Sequence, residues 1–212
     1  MARLLIADDH EIFRKGVRNL IKEINSNVVV DEASNGQEVI KKMWKHDYDA
    51  VLLDISMPGR NGIDILKQLK GYKPNLQVLI ISMYPEEQFA IRAMKAGAAG
   101  YLTKSARSDE LTLAIRNVIK GKRYISSSLA DKLVNYVESG DGKAPHDILS
   151  DREYEVMCMT ADGKSVKQIA KELLLSDKTI STYRARILTK MNMTNTAQLI
   201  QYVMSNGILN YN

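Results

Sequence analysis

Apolar and polar positions follow two rhythms through the first 120 residues. Short, nearly continuous apolar runs, LLIA (4–7), VVVDEA (28–33), AVLLD (50–54), QVLIIS (77–82) and AGYLT (99–103), alternate with stretches whose apolar residues recur at helical spacing. Those stretches are EIFRKGVRNLIKEI, GQEVIKKMWKH, GIDILKQLK and EEQFAIRAMKAG, with SDELTLAIRNVIKG after the last run. Apolar runs without a polar face belong to strands covered on both sides, and strands interleaved with helices build a parallel sheet. The pattern predicts a doubly wound α/β domain of five parallel strands over residues 1–121.

Near residue 121 the strand rhythm stops. One helical stretch, SSLADKLVNYVES, is followed by SGDGKAPHD, whose Gly, Ser, Asp and Pro residues mark a connection at about 139–148. Residues 122–148 therefore read as a linker containing one helix, and 149–212 as a smaller all-α domain. In the latter, SDRE at 150–153 is a capping box, Gly163 suits a helix C-terminus, and Ser165 and Ser176 suit helix starts. A short helix (166–174), a turn at Leu175 and Ser176, and a longer helix (177–191) predict a helix-turn-helix.

Composition narrows the class. With 45% hydrophobic and 26% charged residues the chain suits ordinary globular domains. No apolar run has the roughly 18 residues a membrane span needs, and MARLLIADD turns acidic too soon for a signal peptide. A cytoplasmic protein is expected. Cys158 is the single cysteine, which leaves no disulfide framework and no thiolate metal site. The net charge of +5 is divided +3, 0 and +2 among residues 1–121, 122–149 and 150–212, so a nucleic-acid partner must be argued from local pattern.

In a parallel sheet, ligands bind beyond the C-terminal strand ends. Those ends carry Asp8 and Asp9, Asp54, Ser82 and, just past the fifth strand, Lys104. Three gathered carboxylates repel one another unless a cation sits among them, and a hard, oxygen-ligated divalent ion such as Mg²⁺ suits that donor set. Asp54 is placed as a nucleophile toward phosphorus, Lys104 as a point charge for phosphoryl oxygens, and Ser82 as a hydroxyl donor.

With ADD at 7–9, LLDISMPGRNG at 52–62, Ser82 and YLTK at 101–104, residues 1–120 resemble the receiver domain of two-component response regulators. That resemblance implies a flavodoxin-like strand order of 2-1-3-4-5 and phosphorylation of Asp54 by a sensor histidine kinase. It further implies Mg²⁺ bound by Asp9, Asp54 and the Ser56 carbonyl with Asp8 acting through water, and a switch pair of Ser82 and Tyr101. The chain departs from the family in Ser105 where a proline commonly follows the lysine, and in Met83 where a smaller residue is common.

On the longer helix, Ile180, Tyr183, Ile187, Leu188 and Met191 share one face. Lys178, Ser181, Thr182, Ala185, Arg186 and Thr189 occupy the other, with no acid after Asp177. Small, hydroxyl-bearing and basic groups suit a helix in the major groove. Arg184 lies nearer the apolar face, where it can pair with an acid. LSDREYEVMCMTADGKSVKQIAKELLLSDKTISTYRARILTKM resembles the LuxR/FixJ-type output domain. The two resemblances imply a regulator of the NarL-like class that binds double-stranded DNA through Lys178, Thr179, Ser181, Thr182, Ala185, Arg186 and Lys190, as a homodimer when phosphorylated. Leu199, Ile200 and Val203 on the last helix suit either dimer pairing or packing within one domain. Two rivals stand beside this reading: a regulator indifferent to phosphorylation, and an aspartyl-phosphate phosphatase of the haloacid-dehalogenase type, which would need a second acid where Ser56 stands.

Overall fold

The structure is a computed structural model that describes residues 2–138 and 144–209. Two compact units divide the chain, residues 1–132 and 133–212, and each is described separately.

In the first unit the elements run β1 (Arg3–Ala7), α1 (Glu11–Ile24), β2 (Val29–Ala33), α2 (Gly36–Lys45), β3 (Ala50–Leu53), α3 (Gly62–Tyr72), β4 (Gln77–Ser82), α4 (Glu86–Lys95), β5 (Gly100–Thr103) and α5 (Ser108–Ile119). The five strands form one parallel sheet in the order β2-β1-β3-β4-β5, as expected. Successive strand residues face opposite sides. Leu4 and Ile6 therefore join Val17, Ile21, Ile115 and Val118 beneath α1 and α5. Their neighbours Leu5, Val51, Leu53, Val78 and Ile80 are just as buried. Each such side chain contributes roughly 1.5–3 kcal/mol.

Edge strand β2 carries two acids, Asp31 and Glu32, and both are partnered. Arg3 Nε and the Tyr48 hydroxyl donate to Asp31 at 2.7 and 2.9 Å, and Arg14 and Arg18 hold Glu32. Helix starts follow their side chains: Asn35 Oδ1 accepts from Glu38 N at 2.9 Å, and Asn61 Oδ1 from Ile63 N at 2.8 Å.

A further helix, α6 (Ser127–Glu138), contains the boundary between the units. Of the connection expected at 139–148, residues 139–143 lie outside the described residues, and Pro145–Ile148 form a 3-10 turn. The second unit continues with α7 (Asp151–Ala161), α8 (Val166–Leu173), α9 (Asp177–Lys190) and α10 (Thr196–Ser205). Ser150 and Ser165 each form a complete capping box, and Ser176 and Asn195 cap α9 and α10. Between α8 and α9 the backbone reverses at Leu174, whose φ of 52° is left-handed, with Leu175 N returning to Ala170 O at 2.9 Å. Met157, Ile169, Leu173, Ile180, Ile187, Leu199 and Val203 are buried in this unit.

Candidate metal centre and exposed helix face

The sheet register brings the acids together. Ala7 pairs with Leu53, so the chain leaves β1 and β3 side by side, with Asp54 N donating to Ala7 O at 2.9 Å. Asp8 and Asp54 are almost fully buried, while Asp9 lies toward solvent. Lys104, arriving after β5, inserts its ammonium between the two buried acids, 2.6 Å from Asp8 Oδ2 and 2.8 Å from Asp54 Oδ2. The same nitrogen sits 5.0 Å from the centre of the Phe13 ring. Burial pushes the Asp54 carboxyl above its ordinary pKa, and the Lys104 charge offsets only part of that. Burial also works against the Lys104 ammonium, but Asp54 and Asp8 outweigh it and raise its pKa.

The same cluster has a donor set that could hold a cation. One ligand atom each from Asp8, Asp9, His10 and Asp54 can be chosen so that all lie within 4.8 Å of one another. Asp8 Oδ2 is buried and, despite its ion pair, accepts no aligned hydrogen bond. Ser56 follows on the same loop, its N–H donating to Asp54 Oδ1 at 3.1 Å. His10 Nδ1 lies 2.8 Å from Asp9 Oδ1 and 3.2 Å from Asp8 Oδ1, and the His10 N–H donates to Asp8 Oδ1 at 2.8 Å. An oxygen-rich set of this kind fits a hard divalent ion.

The loop after Asp54 is shaped by Gly62. A Cβ there would stand 2.4 Å from Asp54 O and 2.6 Å from Ile55 Cα, and Gly62 N donates to Ile55 O at 2.9 Å. Only glycine allows α3 to start so close to the acid. Ser82 and Tyr101, from β4 and β5, meet on one backbone unit: Ser82 Oγ accepts from Tyr84 N at 3.1 Å, and the Tyr101 hydroxyl donates to Tyr84 O at 2.7 Å. Although β5 is an edge strand, the Tyr101 ring is turned inward and fully buried.

In the second unit, α9 is sharply two-faced. Ile180 and Ile187 are buried, whereas Lys178, Ser181, Thr182, Ala185 and Arg186 are exposed. The Ser181 and Thr182 hydroxyls donate to Asp177 O and Lys178 O, each at 2.9 Å.

The receiver-domain family model, "Response regulator receiver domain", matches residues 4–116, and "Bacterial regulatory proteins, luxR family" matches 147–203. The chain is 34% identical over 211 residues to the response regulator UvrY of Escherichia coli (strain K12), covering 99% of this chain and 97% of that one. It is 35% identical over 210 residues to the response regulator GacA of Pseudomonas aeruginosa, with 99% and 98% covered. Among solved structures, RcsB from Salmonella enterica serovar Typhimurium, bound to promoter P1flhDC in the presence of phosphomimetic BeF3-, superposes with a TM-score of 0.63. It shares 28% identity, with 96% of this chain and 98% of that one covered. The chain is a response regulator with a LuxR-type DNA-binding domain.

Four features of this response regulator differ from, or add to, what its sequence suggested. Lys190, grouped with the DNA-facing residues, donates to Glu153 Oε2 at 2.7 Å, the same oxygen that closes the α7 capping box through Ser150 N at 2.8 Å. Arg184 takes a hydroxyl partner and not an acid, its Nη2 donating to Thr196 Oγ1 at 2.7 Å. Thr179 is only half exposed, with its hydroxyl 2.8 Å from Ser176 Oγ beside the α9 cap. Of the apolar residues on the last helix, Leu199 and Val203 are buried within the second unit, while Ile200 is only partly buried. No helix among the described residues is long and apolar enough to cross a membrane.

Proposed function

We propose that Asp54 accepts a phosphoryl group from a sensor histidine kinase and that the modified receiver promotes dimerisation and double-stranded DNA binding through α9. The observation that supports this reading most directly is the burial of Asp54 beside both Asp8 and the Lys104 ammonium at a C-terminal strand end. In the transfer, an Asp54 carboxylate oxygen forms the new bond to phosphorus while the bond from phosphorus to the kinase histidine nitrogen breaks. The electron pair stays on that nitrogen. Asp9, Asp54 and the Ser56 carbonyl would hold Mg²⁺, with Asp8 acting through water, and the ion would supply charge neutralisation for the phosphoryl oxygens. Lys104 meets a second phosphoryl oxygen as a point charge. Ser82 rotates its hydroxyl toward a third, releasing Tyr84 N.

On the DNA side, Lys178 and Arg186 flank the duplex as phosphate contacts, and Ser181, Thr182 and Ala185 face the base edges. The likeness to RcsB, solved with promoter DNA, supports the placement of α9.

Incubation with acetyl phosphate and Mg²⁺ tests the receiver half. One phosphoryl mass should appear on the parent chain and none on Asp54→Asn, and omission of the divalent ion should abolish the gain. Equal labelling of both chains would overturn the assignment. Repeated turnover of a phosphate ester would instead place the chain among phosphatases.

A further inference from the structure

We propose that the first turn of α4 clamps α6, so that the arrangement of Ser82 and Tyr101 is passed to the helix that leads into the second unit. Glu86 Oε1 accepts from Ser126 Oγ at 2.9 Å, and Ser126 Oγ accepts in turn from Leu129 N at 3.1 Å, so Glu86 holds the residue that starts α6. Lys132 Nζ donates to Glu87 and to Ser128 Oγ, and lies 4.0 Å from Glu86 Oε2. Leu129 is fully buried between these polar contacts. Acids in a first helical turn ordinarily serve the helix dipole from the solvent side. Glu86 and Glu87 are instead turned onto α6, with side-chain exposures of 14% and 32%.

The other end of the same turn is held by the switch residues. Tyr84 N is bonded to Ser82 Oγ and Tyr84 O to the Tyr101 hydroxyl, and only Pro85 separates Tyr84 from Glu86. Pro85, at the N-cap with φ of −58°, leaves little torsional slack between the two attachments. A change at Ser82 or Tyr101 therefore displaces the acids that grip α6. Partial exposure keeps each clamp contact weak, which suits an element that must open and close. The inward Tyr101 seen here accompanies a closed clamp, so whatever favours that rotamer should protect α6.

This inference rests on the phosphoacceptor reading of Asp54, and amide hydrogen exchange on the full chain separates the two. With Mg²⁺ present, beryllofluoride should slow exchange in α6 of the parent by a factor of about three or more, together with the loop after Asp54. In the double variant Ser126→Ala/Lys132→Ala, the loop should still respond while α6 exchanges faster and no longer responds. The charge exchange Glu87→Lys/Lys132→Glu should restore part of the α6 response. An unchanged α6 response in the double variant, or a parent whose loop responds without α6, overturns the clamp. A parent with no response even at the Asp54 loop overturns the phosphoacceptor reading and the clamp with it.

Discussion

The acidic pocket and the outer face of α9 are opposite solutions to presenting charge. In the pocket, Asp8, Asp54 and Lys104 are buried against one another, and each charge is tolerable only because of the others. On α9, Lys178 and Arg186 stand in solvent, and their worth depends on something outside the chain. Buried charges couple strongly and nonadditively; exposed ones act singly and are screened by salt. Pocket substitutions should therefore alter folding and chemistry together, while α9 substitutions should alter binding alone.

The strongest challenge to that contrast is Lys104→Met. Its side chain is 7% exposed and lies between Asp8 and Asp54. Removing the cation while leaving both buried acids should cost about 3–5 kcal/mol. Added Mg²⁺ should restore much of it, because a ligand that binds only the folded state stabilises by mass action. Trp44, the single tryptophan, lies on α2 and so reports urea unfolding of the first unit. A variant as stable as the parent without divalent ion would show that the pocket charges are not interdependent.

Gly62→Ala probes the same pocket without touching charge. The added methyl meets backbone at Asp54 and Ile55, which cannot rotate away, so a loss of about 1–3 kcal/mol is expected in the same Trp44 assay. Acceptance of phosphate should fall with it, since the backbone that must shift belongs to Asp54 itself. Gly36→Ala makes a useful control: the nearest atom there is the flexible Ile65 Cδ1, and a smaller loss follows.

The pocket was legible in the sequence because a parallel sheet makes strand ends coincide, and the step from a continuous apolar run to a polar residue marks where each strand ends. Asp8, Asp9, Asp54 and Lys104 could be gathered from spacing alone once five strands were recognised. The fold order needed the resemblance, since apolar runs do not say which strands pair. What stayed hidden were the contacts made by ordinary polar residues: the His10 ring beside Asp9, the Tyr84 carbonyl holding Tyr101, and Glu86 and Glu87 facing α6. A glutamate in a first helical turn gives the same sequence signal whether it faces solvent or another helix. Amphipathic spacing placed the exposed face of α9 correctly, yet it could not show that Lys190, at the end of that face, has a partner on α7.

Arg186→Ala should leave unfolding within about 0.5 kcal/mol of the parent, because the exposed side chain belongs to no core. Its effect should appear in DNA binding: weaker affinity across sequences, and a salt slope reduced by about one. A full-strength slope in a fluorescence-anisotropy salt series would remove Arg186 from the phosphate-contacting set.

Lys190 sits on the border between the two regimes, and pH can assign it. Burial pushes the Glu153 carboxyl up, but Lys190 and the Ser150 amide outweigh burial and hold it below its ordinary value of 4.5. A carboxylate whose pKa is lower in the folded chain stabilises above its unfolded value, and that stability is lost as pH falls through the folded value. The second unit should therefore weaken as pH falls below about 4.5. Lys190→Ala should cost about 1 kcal/mol or less at neutral pH, since the 41% exposed lysine end is screened by water, and the difference from the parent should shrink in acid. Denaturation followed by far-ultraviolet dichroism at pH 7 and pH 3.5 reads both effects. If Lys190→Ala unfolds like the parent at both pH values but loses about one unit of DNA salt slope, the lysine exchanges its Glu153 partner for phosphate and belongs to the exposed regime after all.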